Sequence, residues 1–422
     1  MESTVLSPGR RVGRLCFLGA LASAAVAPGA GAASAVEAPA PQDQITAVSV
    51  TPSVEPAPAL GTDGRVHIPY ELLMVNFGKA PATIASVEAF DAWRPSRVLD
   101  SLSGPSVASH FEIATIGGAP LSHAVIGPGQ EGIVWMDASV PGWTRVPLEI
   151  EHRVRVTFPS PQSGGLIPAD VTVTGAPTKV SYLPTPVIAP PLSGPRWFDA
   201  NGCCSIVSSH RGAVNPIDAR TNFPERSAID FIQLDAQRKL FTGPATQLSS
   251  YAYYDAPVSA VADGVIVSMK DGLPNQVPTI EPPIGTLPLA DFDGNNVIER
   301  FRSAGHDYYA LYAHMAPGSV TAHVHVGEHV RLGQILGALG NSGNSAAPHL
   351  HFQVMDGPSA LAAQGLPYEF DIQNLEGRAA SENAVDDVLA GKALTLAPGV
   401  RPGLRFGSMP LNLDLIGFGP RG

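Results

Sequence analysis

The sequence has few charged residues and almost no cysteine. Charged residues make up 15% of the 422 positions, and 26 lysines and arginines are outnumbered by 37 aspartates and glutamates. With a formal charge of −11 and no run of basic residues, the chain lacks the basic surface that holds a nucleic acid backbone. Acidic runs are lacking as well, which indicates that the charge is spread over the surface for solubility. We therefore expect no nucleic-acid partner.

The three cysteines cannot cross-link distant parts of the fold. Cys16 lies in an apolar N-terminal segment, and Cys203 and Cys204 are adjacent. Two neighbouring cysteines either form a vicinal disulfide or remain thiols, and in neither state do they join distant segments. We predict a structural or incidental role for them in preference to a redox role.

Long hydrophobic runs are lacking beyond the N-terminus. Arg10, Arg11 and Arg14 precede an alanine-rich apolar run over 15–27, and small residues follow as far as Ala35. This order predicts a signal peptide over 1–35, because the run is too short and too small-sided for a membrane anchor. We expect an exported protein, periplasmic or extracellular, with no membrane span after signal removal. The arginine pair leaves general and twin-arginine export open.

Glycine and proline are abundant, with 43 and 41 residues, which favours strands joined by turns over long helices. The predicted fold class is all-β and mainly antiparallel. After a disordered leader over 36–44, short alternating runs over 45–182 predict an immunoglobulin-like sandwich. Within it, residues 70–91 predict two paired strands around an Asn-Phe-Gly-Lys turn. A Pro-rich linker (183–197), a second β-rich domain (198–375) and a C-terminal extension with a last strand (376–422) follow.

Two stretches place histidines one residue apart. In "SAAPHLHF", His349 and His351 share one face of a strand while Leu350 and Phe352 occupy the other, so two imidazoles can meet a metal ion or move protons. The stretch "TAHVHVGEHV" offers His323, His325 and His329 at comparable spacing. Spacing alone does not decide which of the two clusters is a functional site. Either cluster could also consist of solvated histidines on an edge strand.

A calcium loop is excluded at "DFDGNNV". Asp291, Asp293 and Asn295 alternate as in an EF-hand, but that loop requires Gly at its sixth position and Glu at its twelfth. Asn296 and Arg302 occupy those positions here. We expect a turn between two strands instead.

A family resemblance favours the first histidine cluster. The stretches "VSAVADGVIVS", "YALYAHM" and "VRLGQILGALGNSGNSAAPHLHFQV" resemble, in order and spacing, the LytM/lysostaphin-type zinc metallopeptidases of the M23 family, over residues 203–375. The resemblance implies a small antiparallel β-fold that carries one Zn²⁺ ion and cleaves peptide bonds of bacterial peptidoglycan. It implies His351 as a zinc ligand, and His349 and His314 as catalytic histidines beside the metal.

The two remaining ligands depart from the family pattern. The family usually carries His and Asp as HxxxD, and Asp230 in "SAIDF" matches the aspartate, but Arg226 stands four residues before it. The nearest upstream histidine is His210, in "SSHRG", with 19 residues between it and Asp230. By its resemblance to members with an "SHxG…YAxDF" pattern, we assign His210, Asp230 and His351 as the zinc ligands.

The resemblance implies a secreted zinc endopeptidase acting on peptidoglycan stem or cross-bridge peptides. The alternative is a non-catalytic relative that binds peptidoglycan or regulates another cell-wall hydrolase, which the missing HxxxD spacing favours. A carbohydrate-binding sandwich protein would explain residues 45–180 but would leave the "HLHF" histidines without a role.

Four residues, Gly340, Asn341, Ser342 and Gly343, resemble the family's "GNSG" turn and are expected to shape the edge of the site. Tyr309 and Tyr312 are expected to pack beside the His314 strand.

Overall fold

The computed structural model describes residues 43–114, 122–283 and 285–420. The predicted signal peptide (1–35) and all but two residues of the predicted leader (36–44) lie outside the described residues. Within the described ranges, no helix is long and apolar enough to cross a membrane. The predicted all-β, mainly antiparallel class is confirmed, because strands dominate and nearly all of them pair antiparallel.

Ten strands and one short helix, α1 (Pro105–Ala108), form the first half of the described chain. The strands are β1 (Val48–Pro52), β2 (Ala59–Leu60), β3 (Val66–Asn76), β4 (Ala82–Asp91), β5 (Arg94–Ser103), β6 (Phe111–Ile113), β7 (Val125–Ile126), β8 (Glu131–Val140), β9 (Glu149–Thr157) and β10 (Asp170–Lys179).

These ten strands build a sandwich of two five-stranded sheets. One sheet has the order β1-β3-β8-β6 with β2 beside β3, and the other has the order β10-β9-β4-β5 with β7 beside β4. Side chains from both sheets, among them Tyr70, Leu72, Val87 and Val154, share one buried core. The orders match strands A-B-E-D and G-F-C-C′ of an immunoglobulin domain, as the sequence predicts.

The predicted pairing within residues 70–91 is wrong. Strand β3 pairs with β1, β2 and β8, whereas β4 pairs with β5, β7 and β9 in the opposite sheet. The connecting segment crosses between the sheets, and Asn76 holds it by donating hydrogen bonds to the carbonyls of Ala80 and Ile126, at 2.9 and 2.8 Å. Two consecutive strands with alternating apolar residues can bury their apolar faces equally well in one sheet or in two facing sheets. The alternation therefore did not show that the chain crosses from one sheet to the other between β3 and β4.

Sixteen strands and a second helix, α2 (Ala384–Leu389), form the remainder. The strands are β11 (Val187–Ile188), β12 (Gly194–Ala200), β13 (Asn215–Ile217), β14 (Arg220–Asn222), β15 (Ile229–Gln233), β16 (Pro257–Ser259), β17 (Gly264–Lys270), β18 (Asn295–Ser303), β19 (His306–Met315), β20 (His329–Val330), β21 (Ile335–Ala338), β22 (Leu350–Met355), β23 (Gly365–Leu366), β24 (Glu369–Arg378), β25 (Gly403–Ser408) and β26 (Asp414–Phe418).

A twelve-stranded sheet organises this part of the chain. Its order is β11-β24-β26-β12-β15-β22-β19-β18-β17-β20, with β23 beside β22 and β25 beside β24. Only the β11–β24 pair is parallel among the pairs of this sheet that the structure describes. The predicted last strand is β26, and it lies inside the sheet between β24 and β12. The neighbouring strands β15, β22 and β19 carry most of the predicted site residues.

The segment predicted as an extended linker (183–197) belongs to this sheet. It supplies β11 and the start of β12, and Ile188, Leu192 and Trp197 are buried in the same core as the sheet. Ile45–Gly422 accordingly form one compact unit. Proline excludes helix and suits edges and bends, so a Pro-rich stretch is compatible with short strands as well as with a free linker.

Candidate metal centre

The structure brings together all five residues that the sequence analysis selected. Asp230 on β15 is paired in register with His351 on β22, and His351 is paired in turn with Ala313 on β19, next to His314. His349 directly precedes β22. The described chain therefore places residues 2 to 141 positions apart within one cluster on three neighbouring strands and their adjoining loops.

Asp230 is the centre of this cluster. Its Oδ1 lies 3.1 Å from Nδ1 of His351 and 3.2 Å from Nε2 of His349, and its Oδ2 lies 3.2 Å from Nε2 of His210. Asn201 donates a hydrogen bond from Nδ2 to the same Oδ2 at 2.9 Å. Burial opposes ionisation, but the adjacent imidazoles of His210 and His349 hold the pKa of the Asp230 carboxyl well below its usual range. Asp230 is therefore an anion at neutral pH.

His351 is held in one orientation by both of its nitrogens. Nδ1 faces Asp230, and Nε2 lies 2.8 Å from Oε1 of Gln353, an amide oxygen that can only accept. The Nε2 position therefore carries a hydrogen, and Nδ1 is the nitrogen directed at the centre of the cluster. Burial lowers the pKa of His351, but its hydrogen bond and attraction to Asp230 outweigh burial and raise the pKa to about 9.

His210 reaches the cluster from the loop after β12. Ser208 organises that loop by donating a hydrogen bond from Oγ to the carbonyl of Asn201 at 2.7 Å and accepting one from the backbone N–H of Arg211 at 3.2 Å. The His210 ring lies edge-on to that of His351, with centroids 4.6 Å apart. Its Nδ1 is buried without a hydrogen-bond partner among the described residues.

His314 and His349 stand side by side next to these three residues. Their ring centroids are 4.6 Å apart, and each gives its Nδ1 proton to a backbone carbonyl, His314 to Ser342 and His349 to Ala347, both at 2.8 Å. His314 therefore keeps Nε2 for proton transfer, whereas Nε2 of His349 faces Oδ1 of Asp230 at 3.2 Å. Burial and the neighbouring His349 hold the pKa of His314 well below its usual range, so His314 is neutral at neutral pH.

The cluster lies in an open cleft of about 650 Å³. Among the described residues, no lysine or arginine lines the cleft. The carboxylates that line it besides Asp230 are Glu225, Glu281, Asp293, Glu382 and Asp386. Burial raises the pKa of Asp293 to about 6. The cleft therefore favours cationic over anionic ligands near the histidines.

The donor set fits a zinc ion. One ligand atom each from His210, Asp230 and His351 lies within 4.8 Å of the other two, and nitrogen and carboxylate oxygen are ligands that Zn²⁺ prefers. Three protein ligands leave a fourth position free, which is the arrangement of catalytic zinc sites. The His351–Gln353 hydrogen bond is the kind of outer partner that orients a metal-binding histidine.

The competing histidine cluster is not assembled. His323 contacts the carbonyl of Ser319, exposed His325 pairs with Glu328, and exposed His329 lies on β20 at the far edge of the large sheet. Among the described residues, none of the three belongs to a potential metal-binding group. The stretch "DFDGNNV" begins at the last residue of a 3₁₀ turn (Leu289–Asp291), continues as a turn at Phe292 and Asp293, and enters β18 at Asn295. The expected turn is confirmed there.

Cys203 and Cys204 form a vicinal disulfide, one of the two alternatives that the sequence leaves open. Both are buried with Ala59, Met409 and Leu411, in a small cluster that joins the sandwich to the large sheet. The disulfide is therefore packed among apolar side chains, and its structural role stays a prediction.

A comparison of the chain with models of known protein families supports the resemblance to the M23 family. Residues 248–363 match the family model described as Peptidase family M23. The chain contains an M23 peptidase domain. The matched range of this M23 domain includes His314, His349 and His351, whereas His210 and Asp230 lie before it. The place of those two residues in the site is supported by the geometry of the structure alone.

Solved structures similar to the chain include several peptidases. The catalytic domain of the antimicrobial peptidase lysostaphin from Staphylococcus simulans is 24% identical, with coverage of 36% of this chain and 86% of that one and a TM-score of 0.20. The catalytic domain of the prophage-encoded M23 protein EnpA from Enterococcus faecalis is 16% identical (42% and 91% coverage, TM-score 0.23). A zinc-containing peptidase from Vibrio cholerae is 14% identical (73% and 83% coverage, TM-score 0.20). No curated protein matches the chain.

Two residues of the candidate site were not predicted from the sequence. Gln353 follows His351 by two positions on the same strand, so strand alternation already places both side chains on one face. Asn201 offered no comparable signal, because it contacts Asp230 from 29 positions away across the β12–β15 pair.

Proposed function

We propose that this protein is a secreted, zinc-dependent endopeptidase that hydrolyses peptide bonds in peptidoglycan stem or cross-bridge peptides. The observation that carries the proposal is the convergence of His210, Asp230 and His351 beside His314 and His349 in one cleft of an M23 domain. Export from a signal peptide over 1–35 would place the enzyme in the compartment where that substrate lies.

In this proposal His210, Asp230 and His351 hold the ion. When bound, Zn²⁺ supplies Lewis-acid polarisation of the substrate carbonyl and activation of water at neutral pH. Gln353 keeps the His351 ring in place, and Asn201 keeps the Asp230 carboxylate in place, so two of the three ligands are held before the ion arrives.

His314 and His349 carry the proton transfers. The bond to be broken is the peptide C–N bond, and water adds its oxygen to the carbonyl carbon. Neutral His314 has its lone pair at Nε2 because Nδ1 donates to Ser342, so it can accept the proton that water releases. The departing amine nitrogen takes up a proton from the same pair of imidazoles, which balances the hydrolysis. His349 also donates toward the oxyanion that develops on the carbonyl oxygen.

One observation favours a non-catalytic relative: Arg226 stands four residues before Asp230, where the HxxxD pattern has histidine. Arg226 lies buried in an ion pair with Glu71 and is not among the cleft residues. His210 occupies the place beside Asp230 instead. The alternative of a peptidoglycan-binding or regulatory protein therefore becomes an outcome of the test.

The test compares zinc content and hydrolysis in chain 36–422 and three variants. We expect about one zinc per parent chain, little in His210→Ala, and parental zinc without hydrolysis of purified peptidoglycan in His349→Ala. His323→Ala is the matched control, since it removes an exposed histidine outside the cleft. A parent that binds no zinc, or binds zinc but leaves peptidoglycan peptides intact, would favour the binding or regulatory alternative. Equal zinc in the parent and in His210→Ala would remove His210 from the ligand set.

A further inference from the structure

A buried ion-pair cluster connects the sandwich to the metal centre. Its anion is Glu71 on β3, and its cations are Arg211 and Arg226, all three buried. Tyr70 and Leu72 point into the sandwich core, so Glu71 lies on the opposite face of the sheet. Chain segments between residues 207 and 226 cover that face.

The hydrogen bonds of this cluster are numerous and directional. Arg211 donates from Nη1 to Oε1 of Glu71 at 2.5 Å, and from Nη2 to the carbonyls of Tyr70 and Met136 at 3.1 and 2.8 Å. Arg226 donates from Nε to Oε1 at 2.9 Å and from Nη2 to Oε2 at 2.8 Å, a bidentate pair. Ser53 donates its Oγ–H to Oε2 at 2.7 Å. The Glu71 carboxylate is thus fully engaged from both of its oxygens.

The two arginines flank the two upstream metal ligands. Arg211 directly follows His210, and Arg226 precedes Asp230 by four positions. In an HxxxD arrangement the short intervening chain limits the distance between the ligands. Here 19 residues intervene, and a connection of that length leaves its ends free unless other contacts hold them. Glu71 is a single carboxylate that binds one arginine at each end of the connection.

We propose that Glu71 is a positioning residue of the metal centre, which holds His210 and Asp230 at ligand distance by binding Arg211 and Arg226. This inference rests on the proposed zinc-dependent function. It assigns the sandwich a part in building the site, and it explains why an arginine stands where the family has histidine. Arg226 anchors the Asp230 strand to the sandwich, and His210 supplies the ligand.

The first test measures Zn²⁺ affinity by competition with a chromophoric chelator, in the full chain. In Glu71→Gln we expect affinity to fall at least tenfold, because the two guanidinium groups lose their shared anion and the His210 loop moves away from Asp230, which stays paired in β15. The matched control is Val87→Ala, which loosens the same sandwich core but leaves the cluster intact, and it should bind zinc like the parent. Parental affinity in Glu71→Gln would overturn the proposal.

A triple variant separates positioning from general stability. Replacing all three charged residues by methionine (Glu71→Met, Arg211→Met, Arg226→Met) fills the space with apolar side chains, a change that proteins often tolerate without loss of stability. If the cluster positions the ligands, this variant folds, judged by near-ultraviolet circular dichroism, and still binds zinc at least tenfold more weakly. If it folds and binds zinc like the parent, the cluster is only structural and the proposal is refuted.

Amide hydrogen exchange of the metal-free chain distinguishes failure of this inference from failure of the proposed function. We expect Glu71→Gln to increase exchange at residues 208–213 and 226–230, and Val87→Ala to leave those segments at the parental rate. Unchanged exchange in Glu71→Gln would refute the positioning role, whatever the parent binds. A parent that binds no zinc would refute the proposed function, and exchange alone would then decide whether Glu71 holds the two segments.

Discussion

Gln353 should control the metal affinity of the centre although it is not one of the proposed ligands. Its Oε1 accepts the hydrogen bond from Nε2 of His351 at 2.8 Å, and both side chains are buried. In Gln353→Leu the apolar side chain offers Nε2 of His351 no acceptor, so a buried polar N–H loses its partner and the ring loses its fixed orientation. The side chain keeps a similar volume, which limits other effects.

The expected magnitude follows from the chemistry of that bond. Removing an outer partner of a metal-binding histidine costs about 10- to 100-fold in metal affinity. At about 1.36 kcal/mol per factor of ten, this corresponds to roughly 1.4 to 2.7 kcal/mol. The estimate agrees with the penalty of about 1 to 3 kcal/mol for a buried donor without a partner.

The assay is Zn²⁺ competition against a chromophoric chelator at pH 7.5, with thermal unfolding measured on the same samples. Gln353→Glu is the matched control, because a carboxylate still accepts from Nε2 and should keep parental or tighter affinity. If Gln353→Leu binds zinc within twofold of the parent while remaining folded, His351 does not bind the metal through an orientation set by Gln353.

Three further predictions concern other parts of the molecule. Burial, partly offset by the Tyr312 hydroxyl, raises the pKa of Glu299 to about 7; its contribution to stability is therefore present below about pH 4.5 and lost as pH rises through 7. Glu299→Gln should abolish that decline, and its free energy of unfolding should exceed that of the parent at pH 8 by up to about 3 kcal/mol. Urea unfolding at about pH 4.5 and at about pH 8 measures the difference. The double variant His323→Ala/His325→Ala should keep parental zinc content, and loss of zinc would mean that the wrong histidine pair was chosen. Because carboxylates line the cleft, a Lys-containing peptide should be cleaved faster than its Glu-containing analogue, and Glu382→Gln/Asp386→Asn should reduce the difference; equal rates in the parent would contradict this.

Local patterns were sufficient wherever the physics is local. Alternation along "HLHF" predicted that Leu350 and Phe352 share a buried face and that both histidines share the other, because successive side chains of a strand point to opposite faces. In the structure Leu350 and Phe352 are buried in the core, and both histidines contact Asp230. The same alternation outlined most strands of the sandwich. It failed for β5, whose sequence "RPSRVLDSLS" is largely polar and exposed. That strand lies at a sheet edge and forms by pairing with β4, so little of it needs to be apolar.

Sheet partners and long-range contacts were decided by the tertiary structure. The sequence by itself determined the all-β class, and its resemblance to a known family singled out the histidine pair and the aspartate of the candidate site. Which sheet β3 and β4 join, how residues 183–197 enter the large sheet, and that Glu71 meets Arg211 and Arg226 could not be seen in it. Those contacts join positions 140 and 155 residues apart, and no local period relates such positions. Only the folded chain, by burying one carboxylate between two guanidinium groups, makes them neighbours.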